Sequence, residues 1–330
     1  MTFGDVPLAE AEGGVLAHSL RLTNGVLKKG TLLEASHIAA LGEAGHVSVV
    51  IARLDPEDID EDAAALRIGT ALLNDNLRLG PAFTGRVNVI AKRAGVLRVA
   101  IEPVDAMNRL DEALTLATLP DQMRVAADQL VGTVKIIPYG LPSSVVDAGV
   151  SCLAGSALEL HPFVGGAARL VMTRTPGFKD SLLVKGEEVV RTRLEAIGYD
   201  LQDVTVVPHE TAAVADALRP DCDLTLILGA SATSDRNDVA PAAVVAAGGH
   251  IDRFGMPVDP GNLLFLGDLA GAPVVGLPGC ARSPALNGVD WVLERLSARL
   301  PVTSEDVAAM GVGGLLKEMP GRPQPRRPKS

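Results

Sequence analysis

Aromatic side chains are scarce in this sequence: they make up 3% of 330 residues, with one Trp, two Tyr and six Phe. A chain that is 47% hydrophobic must therefore fill its core with Val, Leu, Ile and Ala. Such aliphatic runs suit strands buried on both faces of a sheet. Cysteine is also sparse. Cys152, Cys222 and Cys280 are odd in number and far apart, which excludes a zinc spacing and a disulfide framework. A reducing compartment is the expected setting. The six histidines, at positions 18, 37, 46, 161, 209 and 250, are scattered and show no metal-ligand spacing.

An excess of positive charge is missing too. Forty acidic residues against thirty basic ones give a net charge of −10. Sequence-independent nucleic-acid binding relies on Lys and Arg to neutralise phosphates, so no nucleic-acid partner is expected. No apolar run approaches the roughly 18 residues of a membrane span, and no membrane partner is expected either. The start, Met1-Thr2-Phe3-Gly4-Asp5, lacks the basic-then-apolar plan of a signal peptide. The expected location is the cytoplasm. An acidic protein that binds an anion must do so locally, with backbone N–H groups and one or two basic side chains.

What is present is a chain long enough for two domains, at roughly 100–200 residues each. The first half reads as mixed. Val15–Leu22 is strand-like, and Asn24-Gly25 marks a turn. Ser36 is placed to cap a helix over Ile38–Gly42, and Val47–Ile51 is a short β run. Asp60-Glu61-Asp62 opens an Ala- and Leu-rich helix to about Asn74, with acids at the positive end of its dipole. The wider run from Asp58 to Asp62 has a second reading as a cation site. Arg86–Ile90, Val96–Ala100 and Val131–Ile137 read as strands, Asn108–Leu119 as a helix, and Leu141–Leu160 as partly helical.

After a boundary near Pro162 the rhythm becomes regular. Strands at Leu170–Thr173, Val204–Val207, Leu224–Gly229 and Pro273–Pro278 alternate with helices at Lys179–Ile197, Glu210–Leu218, Asp238–Ala247 and Pro284–Leu300. This predicts an α/β fold: a three-layer, mostly parallel sheet over 162–310, preceded by a smaller mixed α+β domain over 1–161. Residues 311–330 read as a Pro/Arg-rich tail or linker.

Three loops of the second half carry candidate chemistry. Gly229-Ala230-Ser231-Ala232-Thr233-Ser234-Asp235-Arg236-Asn237-Asp238 joins a buried strand to a helix start. Its small residues, hydroxyls and helix N–H groups are the makings of an anion site. The competing reading is a connecting loop whose Asp and Asn only cap the helix. Asp259-Pro260-Gly261-Asn262 is a tight-turn signal. Gly276–Pro284 again runs a strand into a Gly-bearing loop and a helix, with Gly279, Arg282 and Ser283 able to meet an anion. Cys280 has no His or second Cys beside it in sequence, and reads as a bystander thiol. Sheets of this kind bind ligands beyond the carboxyl ends of their strands.

Together these loops resemble the molybdopterin-binding domain shared by molybdopterin molybdenumtransferases, gephyrin and molybdopterin adenylyltransferases. The molybdenumtransferase pattern is Ser-Gly-Gly-Val-Ser-Val-Gly-Asp-Tyr-Asp, then Lys-Pro-Gly-Lys-Pro, then Leu-Pro-Gly-Asn-Pro-Val-Ser-Ala. Here Gly229–Asp238, Asp259–Asn262 and Leu277–Pro284 follow in the same order at similar intervals. Gly30–Ala64 and Gly311–Pro325 are similar to a bacterial group of molybdopterin-binding proteins, in which the unit is often followed by a nucleotidyltransferase domain.

The resemblance implies molybdopterin, or a nucleotidylated or metal-loaded form of it, as ligand or substrate. It implies a fused or separate molybdenum cofactor nucleotidyltransferase as partner, and a homo-oligomer. It assigns Gly229, Ser231, Thr233, Ser234, Asp259, Gly261, Asn262, Gly279, Arg282 and Ser283 to cofactor binding. Asp235 and Asp238 become the catalytic carboxylates, with Mg²⁺ as their cation. The alternative is a non-catalytic scaffold that presents cofactor to the nucleotidyltransferase. One departure bears on this choice. Molybdenumtransferases carry an acidic Thr-Gly-Asp/Asn-Glu-Leu after the first strand of the domain. The matching stretch here is Thr173-Arg174-Thr175-Pro176-Gly177-Phe178-Lys179-Asp180, in which basic residues replace the acidic pair.

Overall fold

The chain divides into two units, one over Met1–His161 and one from Pro162 onward. The computed structural model describes residues 1–155 and 157–316. In the first unit, strands Thr2–Pro7 and Val15–Leu16 flank Ser48–Arg53 in an antiparallel sheet. Leu16, Val49 and Ile51 from this sheet form a small core with Leu33 and with Leu41 of helix Ala35–Glu43. Ser36 does not cap this helix, because the helix already begins at Ala35. Glu34 is the cap, and the His37 ring accepts from the Glu34 amide in a capping box.

A larger core joins a second antiparallel sheet to helices Glu61–Ala71, Ile101–Leu110 and Ser143–Leu153. The strand order in that sheet is Leu114–Thr118, Leu130–Ile136, Arg86–Ala91, Leu77–Leu79. Asp60 accepts from the amides of Asp62 and Ala63, so the acidic run acts as a helix start. The helix expected over Asn108–Leu119 is instead the end of one helix and the strand Leu114–Thr118. Leu114 and Leu116 are both buried, a period of two that outweighs local helix preference. Asn108 clamps this strand, donating to the Leu116 carbonyl and accepting from its amide.

The second unit contains β1 (Gly166–Arg174), α1 (Asp180–Glu195), β2 (Tyr199–Pro208), α2 (Thr211–Ala217), β3 (Leu224–Leu228), α3 (Val239–Ala246), β4 (His250–Phe254), β5 (Phe265–Leu269), β6 (Ala272–Leu277), α4 (Gly288–Ser297) and α5 (Ser304–Ala308). Its sheet runs β2-β1-β3-β6-β5-β4. The first four strands are parallel, and β5 and β4 close the sheet as an antiparallel hairpin. The sequence pattern does not mark that hairpin. No residue of β4 is fully buried, and β5 carries Gly267 and Asp268, so neither strand shows an aliphatic run.

Alternation along the strands assigns each face. Leu170, Met172, Leu224, Leu226, Leu228, Val275 and Leu277 pack with Leu183, Val190 and Leu194 of α1 and Val289 and Val292 of α4. Val171, Ile227 and Val274 point the other way, toward Val214 of α2 and Ala240, Ala243 and Val244 of α3. The result is three layers. All five residues of β3 are buried, as expected for a central strand covered on both faces.

Residues 311–316 fold back on this unit: Asp259 donates to the Gly314 carbonyl and accepts from the Leu316 amide. The rest of the expected tail lies outside the described residues.

Candidate functional site

Parallel strands β2, β1, β3 and β6 end on one edge of the sheet. β5 runs antiparallel to β6, and β4, antiparallel to β5, runs with the parallel strands, so their connection, residues 255–264, also emerges on that edge. The three sequence loops therefore share one edge, and side chains join them. Arg282 donates from Nη2 to the Gly229 carbonyl at 2.8 Å. Asn287 donates to the Cys280 sulfur at 3.1 Å and caps α4 by accepting from Val289. The Gly288 amide donates to the Pro260 carbonyl at 2.8 Å. Gly261 sits against this helix start with φ +144, where a Cβ would lie 2.9 Å from the Gly288 nitrogen. Only glycine fits that approach.

In the first loop, Gly229 is buried, Thr233 is half-buried, and Ser231 and Ser234 are exposed. The Ala230 amide donates to the Thr173 hydroxyl at 2.7 Å, and the Ser234 amide to Asp238 at 3.1 Å. Among the described residues, the amides of Ser231, Ala232 and Thr233 between them have no partner. Consecutive free amides of this kind suit an anion.

The two carboxylates expected to be catalytic are occupied. Asp235 accepts from the Asn237 amide at 2.8 Å. Asp238 caps α3, accepting from Val239 and Ser234. The carboxylate oxygens hold loop amides, and among the described residues no group of three or more His, Cys, Asp or Glu is placed to hold a metal ion.

Arg282 is the most unusual group on the edge. It is half-buried, and its Nε is buried with no hydrogen-bond partner. Its guanidinium lies 5.7 Å from the centre of the Phe178 ring. Among the described residues no carboxylate pairs with it, and burial alone pushes its pKa down from the usual arginine range. By contrast, Arg193 is paired with Asp290 and donates to the carbonyls of Ser283 and Ala285, so it shapes the third loop. Ser283 accepts from the Ala285 amide, Gly279 is exposed, and Asn262 is exposed and bonded to the Met256 backbone.

Sequence reasoning missed a neighbouring cleft of about 450 Å³, lined by residues 174–178 and 208–210. Its walls are the turns that leave β1 and β2. His209 lines it and bonds through Nδ1 to the buried Thr173 hydroxyl at 2.8 Å. The sequence had set apart Thr173–Asp180, which supplies one wall, but nothing in it joined that turn to His209 and Glu210.

Comparison with known proteins gives limited matches. A family model described as Domain of unknown function (DUF8806) matches residues 5–53. No curated protein matches the chain. Among solved structures, the chain is similar to a molybdopterin biosynthesis moea protein from Pyrococcus horikosii, at 12% identity and TM-score 0.31 over 90% of this chain and 75% of that one. The molybdopterin biosynthesis enzyme MoaB from Thermus thermophilus matches at 19% identity and TM-score 0.30, over 46% of this chain and 99% of that one. A molybdopterin biosynthesis protein from Mycobacterium abscessus matches at 15% identity and TM-score 0.29, over 41% and 92%.

Proposed function

We propose that the second unit binds molybdopterin, or a nucleotidylated form of it, in molybdenum cofactor biosynthesis or handling. The observation that carries this reading is Arg282. A half-buried cation without a carboxylate partner costs free energy unless an anion completes it. Arg282 is tied to the first residue of a loop with three free amides. In this reading the phosphate of the ligand rests on the amides of Ser231–Thr233, with the hydroxyls of Ser231, Thr233 and Ser234 and the Arg282 guanidinium around it. The 259–262 and 279–283 loops form its walls. Oligomeric state and a nucleotidyltransferase partner belong to the same proposal and rest on the sequence resemblance.

Binding without turnover is the version the site supports best. Asp235 and Asp238 are engaged in shaping the loop, and the β1 turn offers Arg174 and Lys179 in place of acids. The chain then acts as a scaffold that presents cofactor to a transferase. Calorimetric titration with molybdopterin, combined with hydrogen exchange, tests the reading. Protection is expected at 229–238, 259–262 and 277–284, and protection confined to residues 1–150 would refute it.

A further inference from the structure

The two edges of the six-stranded sheet are unlike. At one edge, β4 carries His250, Asp252 and Arg253 among its residues, and charged side chains are a common guard against an edge pairing with another chain. At the other, β2 pairs with β1 alone. Its guards stand at two points. Gln202 is an extra residue, since Ala168 pairs with Leu201 and Arg169 with Asp203, and a bulge of this kind interrupts the ladder. Pro208 closes the strand and has no N–H to offer. Between them Asp203-Val204-Thr205-Val206-Val207 is an open edge. In a strand paired on one side, alternate residues turn N–H and C=O outward, and among the described residues those groups of 203–207 have no partner.

An apolar strip accompanies this unpaired backbone. Arg191 of α1 donates to the Leu201 carbonyl at 3.0 Å and pairs with Glu187, so this flank of α1 lies along the edge. Val184 falls on the same flank, three residues before Glu187 and seven before Arg191. It is 57% exposed, and Val206 on the strand is 41% exposed. Val206 shares the sheet face of Val204, which packs into the core under α1. The one ionic residue of the open segment, Asp203, is held by Arg169 at 2.8 Å. What fits such an edge is the segment itself. Turned about a two-fold axis through Thr205, it lays Val204 against the Val206 of a second copy and Thr205 against Thr205, both favourable cross-strand pairs. Asp203 then meets Val207 rather than a second carboxylate. Antiparallel pairing over this length makes about four to six backbone hydrogen bonds.

We propose that the β2 edge is the surface on which two copies of this chain pair, antiparallel and in register about Thr205, so that their sheets become continuous. The pairing rests on the homo-oligomer of the proposed function and supplies its surface. It is independent of the ligand: antiparallel strands point the two carboxyl edges opposite ways, which leaves the loops of each copy open.

The test is sedimentation velocity of the full chain over a concentration series, with circular dichroism to confirm that each variant folds. The wild type should sediment as a dimer at the top of the series. Thr205→Lys and Thr205→Glu each set like charges face to face across the axis, and each alone should weaken dimerisation at least about tenfold. An equal mixture of the two should restore the dimer, because a lysine then faces a glutamate. Val206→Lys changes an exposed side chain, so it spares the fold, and it should weaken the dimer by a similar factor; it decides the matter if the Thr205 variants do not fold. A wild type that stays monomeric throughout overturns both the edge pairing and the homo-oligomer reading. An oligomer indifferent to Val206→Lys, a trimer, or folded Thr205 variants whose mixture stays monomeric overturns the edge pairing and leaves that reading standing.

Discussion

Replacing Arg282 with methionine separates binding from stability. The substitution removes a hydrogen bond from a charged donor to the Gly229 carbonyl, worth about 1.5–3 kcal/mol. It also removes the contact with Phe178, worth about 0.5–1 kcal/mol where partly exposed. Against this, it relieves a half-buried guanidinium whose Nε has no partner, a penalty of about 1–3 kcal/mol. The thioether chain still fills the space beside Phe178 and the close approach of Gly186. The terms nearly cancel, so unfolding free energy should stay within about 2 kcal/mol of wild type. Binding has no such compensation. Loss of one charge-assisted contact to phosphate should weaken molybdopterin roughly 10- to 100-fold.

Chemical denaturation and calorimetry on the same preparation give both numbers. Arg282→Lys should recover part of the affinity, since the charge returns without the planar fork. Wild-type affinity in Arg282→Met would remove Arg282 from the ligand site. A stability loss above about 4 kcal/mol would make it a structural cation, since only a broken buried network reaches that size.

Asp238→Ala should cost about 0.5–2 kcal/mol through the lost cap, and Asp238→Asn, measured by melting, should recover the α3 cap but not the Ser234 contact, because Asn has one acceptor oxygen where the carboxylate uses two; full recovery would mean that the Ser234 contact adds nothing. Gly261→Ala should lower stability by about 1–3 kcal/mol in urea, because the residue is held at φ +144 against the start of α4; a neutral result would mean that the loop relaxes freely. The Arg169 guanidinium holds the Asp221 carboxyl below its ordinary 3.8. Its folded pKa is depressed, so its stabilising contribution is full above the unfolded value and fades as pH falls through the folded one. Comparison of wild type with Asp221→Asn by denaturation across pH should show a gap at neutral pH that closes in acid; a gap independent of pH would contradict the pairing.

The parts of the fold legible in the sequence were those set by long buried runs. Leu224–Leu228 lies in the core on both faces, so an aliphatic run interrupted only by Thr225 marks it. The α1 helix, from Asp180 to Glu195, ends where Gly198 turns left-handed. Elements with weak burial were not legible. β5 gains its pairing from β6, and β4 from β5, rather than from their own composition, and Leu114–Thr118 gains its from Leu130–Ile136. Of the candidate site, the three loops were legible because small residues at strand ends carry a distinct pattern. The cleft was not. It depends on Thr173 and His209, which are 36 positions apart and meet only because β1 and β2 are neighbours in parallel register.

The chemistry of the carboxyl edge is divided between the loops. Three acidic groups there are engaged within the fold: Asp238 closes α3, Asp235 closes its own turn, and Asp290 joins the Asn287 capping box and pairs with Arg193, whereas Glu210 lines the cleft. Basic groups are left facing outward, with Arg282 half-buried and Arg174 exposed in the cleft. A site arranged this way attracts an anion and holds it with fixed donors. Stabilising the charge that develops when an oxyanion exchanges its metal for a dithiolene asks for more: a cation held by free carboxylates at the reacting centre. In the reading proposed above, the loop meets the first requirement with residues that also serve folding, since Asp235 and Asp238 hold its turn and its helix start.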